Sequence, residues 1–356
     1  MQFYPSSTIG IIGGGQLGRM LAMAAAHMGY KTHIYCPDED SPASEVATYT
    51  TIAPYEDMVA LKRFGEQVDV VTFEFENVPF ESLEMLEQLV TVRPKPSVLA
   101  TCRHRLREKD MVNAQGIATA PYAAVRSADE LASAVAQIGV PSVLKTCELG
   151  YDGKGQIKIE SAEGLADVWA ELNTSEAVLE GWISFEREIS VIVARDIKGN
   201  SLCYDPVHNI HENHILARTI APAGLSDAVT NKAKAIGMKL AESMELIGIM
   251  AVEMFLKADG ELIVNELAPR PHNSGHWTME ASATSQFEQQ VRAICGHALG
   301  DTAVICLAEM INLIGDDVHE WQRYAEDANA HLHLYGKSEV RDGRKMGHVT
   351  ILKPNG

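Results

Sequence analysis

Residues 8–12 read Thr-Ile-Gly-Ile-Ile, and Gly13, Gly15 and Gly18 follow at once. Few folds are open to an apolar, β-branched run that meets closely spaced glycines and then an Ala-, Met- and Leu-rich stretch (Arg19 to Met28). The run favours a buried strand, the glycines a tight turn and the stretch a helix. Tyr30 to Tyr35 then supplies a second strand, and Val68 to Phe75 a further one. The chain therefore opens as a strand–loop–helix–strand unit of the kind that builds a parallel sheet. The spacing Gly13-x-Gly15-x-x-Gly18, with Asp38 twenty residues beyond Gly18, fits a dinucleotide fingerprint. A tight glycine turn at a helix N-terminus also suits any phosphate or polar anion, and a similar domain can carry it with no dinucleotide, so this motif alone leaves the ligand open.

The 356 residues suffice for two to three domains at about 150 residues each. The expected fold class combines α/β and α+β parts. A first unit spans 1–100, closing where Pro94 and Pro96 break the pattern before a helical stretch from about Leu99. A second, 101–185, holds a helix from Ser127 to Ile138, with Ser127 and Glu130 as a capping box, and short strands at 142–145, 156–159 and 178–180. The third, 186–356, has a strand at 189–194, a helix at 226–244, a hairpin over 249–266, and closing strands at 331–334 and 349–352. Forty-eight acidic against thirty basic residues give a net charge of −18, the wrong sign for a general nucleic-acid binder or for an anionic membrane surface. An anionic ligand would need locally concentrated cations. The six cysteines lie at least eleven residues apart with no C-x-x-C, which points to reduced thiols in a cytoplasm and to no zinc ribbon. Gln16 and Arg19 interrupt the N-terminal apolar stretch, so neither a signal peptide nor a membrane span is expected there.

A second glycine-rich segment runs from Lys145 to Gln156 between two strands, with Gly150, Gly153 and Gly155 inside six residues. Glycines here let backbone approach phosphate oxygens closely. Gly155 precedes Gln156 and no helix opens there, so this is not a Walker loop. It reads as a flap over nucleotide phosphates, mobile until nucleotide orders it, or else as a loose hairpin. Downstream, Ile249 to Lys257 and Leu262 to Glu266 flank Asp259-Gly260, read as a two-residue turn. That turn sets Glu253 directly opposite Glu266 on one face, where two carboxylates repel by roughly 0.2–1 kcal/mol unless a cation lies between them. Mg²⁺ joined to phosphate oxygens would serve, and solvated glutamates on an edge hairpin are the alternative. Asn265 points to the other face unless the strand end twists it inward. Beyond it, Pro269 and Pro271 restrict the backbone around Arg270, ahead of His272 and Asn273. Arg341, Arg344 and Lys345 form a basic turn that suits a phosphate monoester or another small anion, or is simply solvated.

Taken together these residues resemble the ATP-grasp family, and within it the branch that makes N5-carboxyaminoimidazole ribonucleotide. The resemblance rests on Gly15 to Gly18, Gly150 to Gln156, Asn265 to Thr278, Met310 to Gly315, His331 to His333 and Gly343 to His348. One departure is Leu149, where the family commonly has a further glycine. The resemblance implies a Rossmann-like preATP-grasp domain, a small central lid domain and a C-terminal domain. It also implies a homodimer that carboxylates 5-aminoimidazole ribonucleotide with ATP and bicarbonate through carboxyphosphate. Nucleotide contacts would come from Arg105, Lys145, Gly150, Tyr151, Asp152, Gly153, Lys154, Gly155, Gln156, Glu180, Gly181, Trp182, Ile183, Glu188, His211, Asn265 and Glu266. Glu253 and Glu266 would hold Mg²⁺, with Mn²⁺ as the alternative ion. Asp152 would assist removal of the amine proton, and Arg270 and Lys345 would act on the reacting oxygens. The carboxylation substrates would meet Gln16, Leu17, Glu76, Tyr151, Arg270, His272, Asn273, Arg344 and Lys345. Three other readings stay open: an NAD-dependent dehydrogenase resting on the first loop, a nucleotide-binding regulator with an inactive site, and a formate-dependent transformylase of the same fold.

Overall fold

The computed structural model describes residues 1–148, 150 and 155–353. Three sheets organise them. The first is parallel and five-stranded, in the order Tyr49–Ile52, Lys31–Cys36, Thr8–Ile12, Val70–Phe73, Thr91–Val92. The glycine turn after Thr8–Ile12 opens the helix Gln16–His27, as the sequence predicts. The small second sheet is antiparallel and four-stranded, ordered Tyr122–Val125, Ala177–Gly181, Ser142–Thr146, Gln156–Ile159. Its helix Ala128–Ile138 starts at Ser127, whose hydroxyl accepts the Glu130 N–H at 3.2 Å. The Glu130 carboxylate takes the Arg126 N–H instead of the N–H of Ser127 itself, so the expected capping box is only half formed.

The third sheet has nine strands, paired antiparallel among the described residues. Gly248–Leu256 and Leu262–Ala268 lie at one end. At the other, Lys345–Lys353 pairs with both Leu307–Ile314 and Ala330–Leu334. The C-terminal strands therefore continue the sheet that carries the glutamate hairpin, and Lys345 begins one of them. The helix Asp227–Ser243 buries Ala233, Leu240 and Ala241 against Val191, Val193 and Met250 of this sheet.

The hairpin departs from the expected turn in two compensating ways. Its loop has three residues, Ala258 to Gly260, closed by Lys257 N–H to Glu261 O at 2.9 Å and Gly260 N–H to Lys257 O at 2.9 Å. Gly260 takes the positive φ (82°) that such a loop needs. Leu256 consequently pairs with Leu262 and Met254 with Val264, one residue off the two-residue register. A bulge at Asn265 then restores the pairing of Glu253 with Glu266.

The helix Gln286–Cys295 ties the first sheet to the third. Phe287, Val291, Ile294 and Cys295 share a core with Ile9, Ile11, Leu21 and Ile34. Gln290 accepts the Ile249 N–H at 2.7 Å and donates to Thr72 Oγ1 at 2.9 Å, bonding both sheets at once. Among the described residues no helix is long and apolar enough to cross a membrane.

Candidate active site

A cavity of about 670 Å³ lies where the three sheets meet, and its walls come from all of them. The first unit contributes Gln16, Leu17, Glu74 and Phe75. Lys145, Gln156 and Glu180 to Ile183 come from the small sheet and its exit, and Arg105 from the helix Arg105–Ala114. The large sheet supplies Glu188, His211, Glu253, Asn265, Glu266 and Lys345, and the loop after the hairpin adds Arg270, His272 and Asn273.

One side is a cluster of cations around a carboxylate. Glu180 lies 3.0 Å from Lys145 Nζ and 3.2 Å from Lys109 Nζ. Burial on its own would raise the Glu180 pKa, but Lys145 and then Lys109 outweigh it and hold the group at about 2. Burial pushes Lys145 below the ordinary lysine value, with Arg105 and Lys109 adding to it against the pull of Glu180. Arg105 reaches Glu266 at 3.4 Å, and His211 Nδ1 lies 2.9 Å from Glu188. Phe185 stacks on Phe255 with centroids 4.6 Å apart, an apolar wall beside these charges.

The other side centres on Glu253 and Glu266. His272 Nε2 lies 3.1 Å from Glu253. Burial would raise the Glu253 pKa, yet the His272 hydrogen bond and the charges of His272, His211 and Lys345 bring it well below the usual carboxylate range. Two oxygen donors opposite each other on adjacent strands suit a hard divalent cation such as Mg²⁺, so the residues present fit the ion the sequence implies. The Asn265 bulge turns a residue expected on the outer face into one that lines the cavity.

Residues 110–287 match the ATP-grasp domain, residues 6–103 the ribonucleotide synthetase preATP-grasp domain, and residues 308–356 the phosphoribosylaminoimidazole carboxylase C-terminal domain. The chain is 44% identical to the N5-carboxyaminoimidazole ribonucleotide synthase of Bacillus subtilis (strain 168), over 98% of this chain and 92% of that one. It is 46% identical to the synthase of Brucella melitensis, over 98% and 97%. It belongs to the N5-carboxyaminoimidazole ribonucleotide synthase family. The bifunctional purine synthesis protein purC/E of Dictyostelium discoideum is 48% identical over 97% of this chain, which spans 37% of that longer protein. A solved N5-carboxyaminoimidazole ribonucleotide synthetase in complex with ADP superposes with a TM-score of 0.96 at 43% identity, covering 99% of this chain and 94% of that one. The Aspergillus clavatus synthase, solved with ADP and 5-aminoimidazole ribonucleotide, gives 0.92 at 30% identity, covering 99% and 95%.

Within this synthase family chain, the first glycine loop has a partner that sequence reasoning missed. The Glu74 carboxylate accepts the Gly15 N–H, and the Gly18 N–H at 2.7 Å, so it caps the helix Gln16–His27 where a dinucleotide pyrophosphate would sit. A Cβ on Gly13 would lie 2.3 Å from Glu74 Cγ, which accounts for glycine there without any nucleotide. Glu108 also escaped notice. Its carboxylate accepts the Leu267 N–H at 2.8 Å, and burial, then the charge of Glu266, pushes it up to about 8. Lys337 donates to the Lys345 carbonyl at 2.6 Å, and burial lowers it to about 8. Gln286 fixes His272 from both ends of its backbone, accepting its N–H at 2.9 Å and donating to its carbonyl at 2.7 Å. Glu74 ends a buried strand beside Thr8–Ile12, a signal readable in principle; the other three depend on long-range pairing.

Two expected substrate contacts sit outside the cavity lining. Glu76 pairs with Arg270 at 2.7 Å and so holds that guanidinium from behind. Arg344 donates to the Glu339 carbonyl at 2.8 Å. Gly150 and Gly155 face each other at the base of the second glycine loop, where Thr146 N–H bonds Gly155 O at 2.9 Å. Tyr151, Asp152, Gly153 and Lys154, with Leu149, lie outside the described residues.

Proposed function

We propose that this chain uses ATP and bicarbonate to carboxylate the exocyclic amine of 5-aminoimidazole ribonucleotide, giving N5-carboxyaminoimidazole ribonucleotide, ADP and phosphate. The observation that carries the reading is the single cavity in which the Lys145–Glu180 cluster, the Glu253–Glu266 pair and the Arg270–Asn273 string converge. The family's own activity, by the names its members carry, is of this kind.

In this reading the nucleotide lies against Arg105, Lys145, Glu180 to Ile183, Glu188 and His211, with the second glycine loop over its phosphates. Bound at Glu253 and Glu266, Mg²⁺ would neutralise charge on the phosphate oxygens. A bicarbonate oxygen attacks the γ-phosphorus, the bond to the bridging oxygen breaks, and ADP leaves. Carboxyphosphate then splits into CO₂ and phosphate. The substrate amine attacks the CO₂ carbon and gives up a proton, for which Asp152 is the proposed acceptor. Arg270, His272 and Asn273 hold the bicarbonate-derived oxygens, and Lys345 stabilises charge that builds on them. Gln16 and Leu17 face the ribonucleotide. The Glu76 pairing supports a positioning part for that residue, and Arg344 is proposed for the ribonucleotide phosphate only with a change of partner. The division at 1–100, 101–185 and 186–356 is part of this reading, as are a homodimer and a cytoplasmic location. The buried free thiols Cys36, Cys102, Cys147, Cys203 and Cys295 are compatible with that compartment.

The Glu74 cap disfavours the dehydrogenase. The test is phosphate release from ATP with Mg²⁺, with and without bicarbonate and aminoimidazole ribonucleotide. Release that needs both, with one carboxylated product per phosphate, is expected. Release dependent on formate, or none at all, overturns the reading.

A further inference from the structure

Outside the cavity lining, His104, Cys147 and Glu176 bring an imidazole nitrogen, a thiol sulfur and a carboxylate oxygen all within 4.8 Å of one another. Among the described residues this is the only such group of three. It joins three segments that lead into the active site. His104 precedes the helix that carries Arg105, Cys147 follows the strand that carries Lys145, and Glu176 precedes the strand that carries Glu180. The Cys147 carbonyl accepts the Arg105 N–H at 2.9 Å, which fixes two of these segments against each other.

The donor set is borderline-soft: nitrogen, sulfur and one oxygen. That combination suits Zn²⁺ or Co²⁺, whereas Mg²⁺ prefers oxygen alone. His104 Nε2 already lies 3.2 Å from Glu176 Oε2. Ligand atoms bound to one tetrahedral zinc stand about 3.3–3.6 Å apart, from bond lengths of roughly 2.0–2.3 Å. Two of the three donors are thus near the spacing an ion requires, and the thiol lies within 4.8 Å of both. His104 is 9% exposed, and its ring presents Nε2 to the Glu176 carboxylate. The second oxygen of Glu176 is bound by Arg126 at 2.7 Å, the kind of outer contact that orients a ligating carboxylate.

We propose that His104, Cys147 and Glu176 form a binding site for a thiophilic divalent cation of the Zn²⁺ class, separate from the Glu253–Glu266 pair. The ion takes one atom from each side chain, the thiol proton passes to solvent, and a fourth position is left for water or an outside ligand. Binding fastens together the segments that hold Arg105, Lys145 and Glu180.

The test is a Co²⁺ titration of the full chain without nucleotide, followed by absorption. A thiolate-to-cobalt charge-transfer band is expected, saturating at one equivalent and bleached by Zn²⁺. Cobalt at Glu253 and Glu266 gives no such band, because that pair contains no sulfur. Cys147→Ser should abolish the band, and Glu266→Gln should leave it intact. His104→Gln should weaken Co²⁺ binding by at least ~10-fold, since even outer contacts commonly contribute that much. Should Cys147→Ser fail to fold, the His104→Gln titration decides alone, and unchanged affinity in that variant overturns the site. So does absence of the band in the parent chain, or its survival in a folded Cys147→Ser variant. No readout here is an activity, so failure leaves the ligase reading untouched.

Discussion

Glu180 earns its place through charge, and pH exposes how much. Its carboxyl drops from the ordinary 4.5 to about 2 because Lys145 and Lys109 overcome the cost of burial. A carboxylate lowered in this way stabilises the fold above about pH 4.5 and loses that contribution as pH falls toward its folded value. Glu180→Gln leaves two buried ammonium groups facing an uncharged amide, so it should destabilise the nucleotide-free protein by about 3–5 kcal/mol at neutral pH. Urea denaturation at a series of pH values checks this, and the gap between variant and parent should narrow below about pH 4.5. A gap that stays constant would mean that Glu180 acts through shape. The glutamate pair should divide differently. Glu266 is half-exposed beside Arg105, whereas Glu253 lies deeper with His272 at 3.1 Å. Glu266→Gln should abolish ATP turnover more fully than Glu253→Gln. Without Mg²⁺ its melting temperature should hold or rise, because like-charge repulsion across the hairpin is relieved. Glu253→Gln should melt lower, since His272 loses its carboxylate partner. Thermal melts with and without Mg²⁺, beside phosphate release, separate the two. An inactive and strongly destabilised Glu266→Gln would make that carboxylate structural.

At the scale of elements, the first glycine loop is held by a carboxylate that arrives from a neighbouring strand. A Cβ on Gly15 would lie 2.7 Å from Glu74 Oε1, while the Gly15 φ of −80° is ordinary for any residue. Gly15→Ala should therefore be costly only because Glu74 is there. Glu74→Ala alone should cost about 1–3 kcal/mol for two N–H groups left without their acceptor. Adding Gly15→Ala to it should change stability by a few tenths of a kcal/mol, so the denaturation cycle should be strongly non-additive. Additive losses would show that something other than Glu74 excludes a side chain at Gly15. The loop itself was legible because closely spaced glycines between an apolar run and an Ala-rich stretch permit little else. Its partner, Glu74, comes from more than fifty residues away and is readable only through its place at the end of a buried strand beside Thr8–Ile12. The hairpin is a subtler case. The pairing of Glu253 with Glu266 follows from a two-residue turn, and the molecule reaches it through a three-residue loop plus a bulge. Asn265, the extra residue, was misplaced by the simpler register for that reason. The strands Val207–Glu212 and Ile215–Ala221 went unread because their polar residues, among them His208, His211 and Arg218, hide the apolar alternation.

At the scale of the whole molecule, the sheet order decides which distant residues become neighbours. No local pattern reveals that Lys345–Lys353 would pair with Leu307–Ile314 in the sheet that also holds the glutamate hairpin. The helix Gln286–Cys295 locks that sheet to the first one, so Lys345 at a strand start and Gln16 at a helix start line one cavity. Lys345 approaches that space from the opposite end of the nine-stranded sheet to Glu266, while Lys145 and Glu180 belong to the small sheet. Its place on the carboxylation side predicts a separation of functions. Lys345→Met should leave ATP affinity within a few-fold and reduce carboxylated product far more, about 100-fold if the ammonium stabilises an oxyanion in the transition state. One titration of nucleotide binding and one measurement of product in the same variant provide the check. The Glu253 carboxylate also feels the Lys345 charge, so a change in Mg²⁺-dependent ATP binding within that few-fold range fits the same geometry. Parallel loss of binding and turnover would assign Lys345 to the nucleotide. Loss of neither would leave the basic turn a surface feature, and the positive charge that meets the carboxyl oxygens would have to come from Arg270 alone.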